Sequence, residues 1–222
     1  MFDGDATVLV VGAHPDDEVL GAGGAIVKHA DAGAEVHVLI VTEGTTQQYD
    51  DRSLIEQKRR DTRECGDRLG VTEVHFGDLP DMGLDDVAHV EVNAVIEGVC
   101  NEIEPDIVYT HSREEVNRDH IAVHDSTLVA TRPGSGVSTV LAYETPSSTD
   151  FFPQTGSFNP DLYVDIDDYL DTKIDAFEAY ETEVREYPHP RSAQALKSIA
   201  RTRGVESGTV VAEAFDILRK YE

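Results

Sequence analysis

The 222-residue sequence predicts an α/β fold in which a mostly parallel sheet is flanked by helices. Short apolar runs recur at residues 8–11, 36–41, 74–76, 107–109 and 140–143, and segments of helical periodicity separate them. Strands that alternate with helices in this way build crossover units whose strands lie parallel. No internal repeat, low-complexity tract or interdomain linker interrupts the pattern, so one Rossmann-like domain is expected over residues 1–222, long enough to bury a core.

The elements follow in order. The first run, Val8-Leu9-Val10-Val11, is continuously apolar and reads as a buried parallel strand. Gly21-Ala22-Gly23-Gly24 comes too late after it to form a dinucleotide-binding turn, and the acidic residues between would repel a pyrophosphate. These glycines are expected to let a helix pack closely on the sheet. Residues 53–69 form a charged helix opened by Ser53, with Glu56 three residues on. Val92, Ile96, Val99 and Ile103 make a stripe at helical spacing that stops before Pro105. Residues 144–161 carry three prolines and the aromatics Phe151, Phe152 and Phe158, and read as a loop facing either substrate or core. A strand at 162–166 then leads into a long amphipathic helix over 169–186, broken by Pro188-His189-Pro190. A shorter helix at 193–203 ends at Gly204, and residues 211–217 alternate as a final strand on which Glu213 is expected to reach the edge of the site.

The chemistry concentrates at two strand ends. His14-Pro15-Asp16-Asp17-Glu18 follows the first strand, at the carboxyl edge where ligands gather in open α/β sheets. In a sharply turned loop, the imidazole and a carboxylate three residues on can meet on one ion, and the carboxylate between them stays free to handle a proton. The plainer alternative is that His14 and Asp17 only cap the next helix. The second cluster is Asn117-Arg118-Asp119-His120-Ile121-Ala122-Val123-His124, after the strand that ends in Thr110-His111. His120 and His124 are four apart and share a helix face, so either could supply a third ligand. The combination suggests a metal hydrolase. No Gly-x-Ser-x-Gly elbow supports a serine hydrolase, and Asp165-Ile166-Asp167-Asp168 has Leu170 where a calcium loop needs glycine.

The pentad, Thr110-His111, Asn117-x-Asp119-His120-x-x-x-His124 and Thr131-Arg132-Pro133 together resemble the LmbE-like (PIG-L) family of zinc-dependent N-deacetylases of amino-sugar conjugates. Weaker matches at Leu69-Gly70-Val71, Leu79-Pro80-Asp81 and Ala212-Glu213-Ala214-Phe215 extend the resemblance over nearly the whole chain. It implies zinc ligands at His14, Asp17 and His120, with Asp16 as general base, and removal of an N-acetyl group from an N-acetylglucosamine-type conjugate. It also implies a homo-oligomer. The family commonly has a histidine where this chain has Asn117, which donates a hydrogen bond but carries no proton. Its role in steadying the leaving amine and oxyanion would pass in part to His124 or His111. Arg59, Asp81 and Arg132 are the candidates for gripping substrate hydroxyls or phosphate. The rival readings are a sugar-nucleotide-binding or catalytically weakened paralogue, and a metal-dependent amidase on a non-sugar amide. His, Asp and His ligands would also suit iron, manganese or cobalt.

Charge narrows the partners. Forty-four acidic against eighteen basic residues give a formal −26, without the basic footprint that nucleic acid binding needs, and an acidic membrane surface would repel it. The acidic residues are interspersed with apolar ones from end to end, as on a folded surface adapted to high intracellular salt. Cys65 and Cys100 form neither a disulfide framework nor a thiolate motif. No apolar run approaches the ~18 residues of a membrane span and the acidic start lacks a signal n-region, so a soluble cytoplasmic protein is expected.

Overall fold

A computed structural model describes residues 1–45, 53–151 and 156–221. The chain runs β1 (Thr7–Gly12), α1 (Asp17–Asp31), β2 (Glu35–Thr42), α2 (Ser53–Leu69), β3 (Glu73–Leu79), α3 (His89–Ile103), β4 (Ile107–His111) and α4 (Arg118–Ala130). It continues through β5 (Thr139–Tyr143), β6 (Leu162–Asp165), α5 (Leu170–Phe177), α6 (Ala193–Ser207) and β7 (Ala212–Lys220). The seven strands form one sheet in the order β3-β2-β1-β4-β5-β7-β6. Strands β1 to β5 are parallel, and β7 runs antiparallel between β5 and β6.

Each face of the sheet carries its own core. Val8, Val10, Val36, Val38 and Tyr109 meet α1, α5 and α6 through Leu20, Ile26, Phe177 and Leu196. Leu9, Val11, Leu39, Val41 and Val108 meet α3 and α4 through Val92, Ile96 and Val123. Burial on both faces explains why the first strands read as unbroken apolar runs. The strand order reverses between β1 and β4, so the loops leaving these neighbours diverge and open a crevice at their carboxyl ends. Those loops carry the two clusters.

The glycines of α1 allow a close approach: a Cβ on Gly21 would stand 2.1 Å from the Tyr143 ring, and one on Gly24 2.7 Å from Ile166.

Two expectations need correction. The helix expected over 169–186 is only α5, Leu170–Phe177. Beyond it the chain turns Tyr180 and Glu183 inward, the first to donate a 2.5 Å hydrogen bond to Glu18 and the second to pair with Lys58 and Arg191. Glu213 does not reach the crevice. Its carboxylate accepts the Gly24 and Ala25 amides at 2.8 Å and the Lys173 ammonium at 2.6 Å, which pins α1 and α5 to β7. In the 144–161 segment, Phe158 is buried and Phe151 exposed, whereas Phe152 lies outside the described residues.

Candidate metal centre and cleft

The loop from β1 to α1 turns in four residues, 13–16. The His14 amide donates to Asp17 Oδ2 at 2.7 Å and the Asp17 amide to the His14 carbonyl at 3.2 Å. Between them Asp16 takes φ 114°, a left-handed conformation that costs a non-glycine residue about 1–3 kcal/mol and is held where function uses it. The turn brings His14 and Asp17 to one point. From the other side of the crevice, the first turn of α4 delivers His120. Asn117 caps that helix by accepting the Asp119 amide at 2.9 Å, which gives a structural reason for an asparagine at this place.

Three donor atoms converge there. His14 Nδ1 lies 3.1 Å from His120 Nε2, and Asp17 Oδ2 lies 3.3 Å and 3.4 Å from them respectively. The outer nitrogens fix the tautomers. His14 Nε2 faces Asp119 Oδ2 at 3.1 Å and His120 Nδ1 faces Glu115 Oε2 at 3.0 Å, so each of these nitrogens carries its ring's proton and donates it to a carboxylate. With those tautomers two nitrogen lone pairs and a carboxylate oxygen point at one another, an arrangement that repels unless a proton or a metal ion sits among them. Ligands at ~2.0–2.1 Å from a tetrahedral zinc stand roughly 3.3 Å apart, so the separations match one face of such a site. Asp17 Oδ1 is buried without a hydrogen-bond partner, as an oxygen with a ligand to hold would be. The residues fit a divalent cation.

The charges around the centre say the same. Burial works against a charge on His14, but Asp119, Asp17 and Asp81 outweigh it and lift the imidazole to about 10. Burial would raise Asp17, but His120, His111 and His14 hold it well below the ordinary carboxylate range. His111, at the end of β4, stacks on the His120 ring at 3.9 Å. Its Nε2 accepts the Ala13 amide at 3.0 Å, so it backs the centre without offering a lone pair, and burial pushes it down to about 4.

Asp16 is buried beside the centre. Arg191 Nη1 is 3.1 Å from its Oδ2 but off the hydrogen-bonding axis, which leaves that oxygen without an aligned donor. Burial pushes Asp16 well above the ordinary carboxylate range, with Arg191 opposing. Glu183 accepts from Arg191 at 2.6 Å and pairs with Lys58, so a chain of alternating charge backs Asp16. Above it His14, Asp16, Lys58, Asp81, Asn117 and Arg191 line the inner cleft. Met82, Asn117, Glu183 and Arg191 continue into an outer basin of about 440 Å³, reached also by Ser147, Ser148, Arg185 and His189.

Of the expected residues, His14, Asp16, Asp17 and His120 meet at this centre, and Asp81 and Asn117 line the cleft beside them. The other three do not face it. His124 is turned back to donate to the His111 carbonyl at 2.7 Å. Arg59 pairs with Asp78 over the Phe76 ring. Arg132 caps the far end of α4, where it bonds Glu97 and the Val129 carbonyl. Sequence reasoning missed Lys58, Glu115, Asp119, Glu183 and Arg191. Asp119 stands beside His120 in the quoted cluster and Glu115 five residues before it, in the loop that leads into α4; Lys58, Glu183 and Arg191 come from separate segments with no shared spacing.

Comparison with known proteins gives the family. The model of the PIG-L family, GlcNAc-PI de-N-acetylase, matches residues 9–131, which hold both clusters. The diacetylchitobiose deacetylase of Thermococcus kodakarensis is 26% identical over 222 residues, covering 96% of this chain and 83% of that protein. The 4-oxalmesaconate hydratase of Pseudomonas putida is 28% identical over 193 residues, covering 78% of this chain and 72% of its own length. The solved N,N'-diacetylchitobiose deacetylase of Pyrococcus horikoshii shares the fold with TM-score 0.78 at 22% identity, over 96% of this chain and 84% of that one. The chain belongs to the PIG-L family of de-N-acetylases, with the LmbE-like deacetylases as its relatives.

Proposed function

We propose that the protein is a zinc-dependent N-deacetylase that removes the acetyl group from an N-acetylglucosamine-type amino-sugar conjugate, releasing acetate and a free amine. The observation that carries the reading is the convergence of His14 Nδ1, His120 Nε2 and Asp17 Oδ2, with Asp16 buried next to them on the cleft floor. The deacetylase relative of nearly full coverage supports the substrate class. A bound zinc ion supplies Lewis acidity, polarising an amide carbonyl and acidifying a water.

The chain's own residues do the rest. His14, Asp17 and His120 hold the ion, and Glu115 and Asp119 fix the two ring tautomers. Asp16 takes the proton of the attacking water and returns it to the departing nitrogen; its raised proton affinity suits both tasks. Arg191 opposes the effect of burial and favours its ionised form. The Asn117 amide nitrogen lies 3.8 Å from Met82 Sδ at the cleft rim, and its N–H groups are there for a substrate hydroxyl or carbonyl oxygen. Asp81 is a second candidate for substrate hydroxyls.

The hydratase relative favours a second reading, because the same water activation serves addition to an activated double bond. One panel separates the two. Zinc-loaded protein should release acetate from N-acetylhexosamine conjugates and leave an unsaturated oxo-tricarboxylate unhydrated; the reverse result would make it a hydratase. The reading also takes the enzyme to be cytoplasmic and homo-oligomeric. Its buried free thiols Cys65 and Cys100 suit a reducing compartment, and among the described residues no helix is long and apolar enough to cross a membrane.

A further inference from the structure

At the opposite end of the sheet the atomic pattern of the metal centre recurs. His37 on β2 lies directly across from Glu73 on β3, and His75 follows two residues later on the same face. His37 Nδ1 is 3.0 Å from His75 Nε2, and the rings stack with centroids 5.3 Å apart. The outer nitrogen, His37 Nε2, lies 3.2 Å from Glu35 Oε1, so it carries the ring proton and donates it to that carboxylate, and the Nδ1 lone pair faces inward. One ligand atom from each of His37, Glu73 and His75 lies within 4.8 Å of the other two. His37 is buried while Glu35 and Glu73 are exposed, so the cluster opens to solvent. Five residue steps along β2 take His37 to Thr42 at the cleft end, about 16 Å at ~3.3 Å per step.

We propose that His37, His75 and Glu73 form a second metal site, binding a divalent ion of the zinc, cobalt or nickel class, with Glu35 orienting His37. Two imidazoles and a carboxylate select such ions over calcium and magnesium, which prefer all-oxygen shells. The ion clamps the edge strand β3 to β2 and leaves the cleft untouched, so its part is structural. In the absence of metal the His75 ring proton can bridge the two nitrogens, and binding displaces it.

The test is zinc stoichiometry on the full chain, stripped with chelator and measured in molar potassium chloride with excess calcium so that surface carboxylates are already occupied. The native chain should bind two equivalents of zinc, H37N/H75N one, and H14A/H120A one. Glu35→Gln, which removes no ligand, should weaken only the second equivalent, by about 10-fold or more. It also covers the case in which H37N/H75N fails to fold. A single equivalent in the native chain, two in H37N/H75N, or an unchanged second equivalent in Glu35→Gln would overturn the proposal.

Discussion

Asp16 and Asp17 are adjacent carboxylates with opposite fates, because one sits among imidazoles and the other faces an arginine and three further carboxylates. That division underlies the roles proposed for them, proton carrier and metal ligand, and it predicts separable losses. Asp16→Asn should bind zinc as the native chain does yet deacetylate roughly 10²-fold more slowly or worse, as single-turnover assays on metal-analysed protein will show. Asn117 makes a different prediction, since its oxygen caps α4. Asn117→Ala should lower stability by about 1 kcal/mol in urea denaturation, while Asn117→Asp keeps the cap. Asn117→His gives up a good cap for an imidazole, so any gain in turnover should come with a loss of stability.

At the level of elements, the local features were legible in the sequence and the distant pairings were not. The pentad and the Asn117-to-His124 cluster each lie in one short loop and helix start, so their spacing alone shows which atoms can meet. Lys58, Glu183 and Arg191 reach the cleft from α2 and from the turns after α5, and no period links them. The same distant pairs mislead the helix reading of 169–186. Its apolar spacing continues through Tyr180 and Val184, but the hydrogen bond to Glu18 and the pairing of Glu183 with Lys58 pull the chain out of helix after Phe177. Glu213 was aimed at the wrong target because the antiparallel insertion of β7 between β5 and β6 cannot be read from one strand's alternation. The close packing of α1 was legible from its glycines and gives a prediction of its own. Gly21→Ala drives a methyl group into the Tyr143 ring, whose hydroxyl holds the Val11 carbonyl beside the pentad. The variant should lose about 1–3 kcal/mol in denaturation and weaken zinc binding with it.

Over the whole molecule, charge and burial set the response to salt and acid. With −26 on 222 residues, the carboxylates repel one another over a Debye length of about 10 Å at 0.1 M salt, falling to about 3 Å at 1 M. The unfolding temperature at saturating zinc should therefore rise from sub-molar to molar potassium chloride, and a flat or falling curve would contradict a salt-adapted surface. Acid acts partly through His29, which burial pushes down to about 4 beneath the Tyr109 hydroxyl. The unfolded chain takes up that proton near pH 6.5 and the folded chain only near 4, so stability present above 6.5 is lost as pH falls through this window. His29→Gln should remove about one proton's worth of slope from the stability curve between those values.

The claim on which the account depends is that hydrolysis needs an ion held by His14, Asp17 and His120, and metal reconstitution tests it most directly. The measurement belongs in the H37N/H75N background, so that only the ion in the cleft is counted. Stripped protein should release no acetate from an N-acetylhexosamine conjugate, activity should rise linearly and saturate at one equivalent of zinc, and the further change H14A/H120A should abolish both binding and activity. Full acetate release by stripped protein, or one bound equivalent surviving H14A/H120A, would contradict the account.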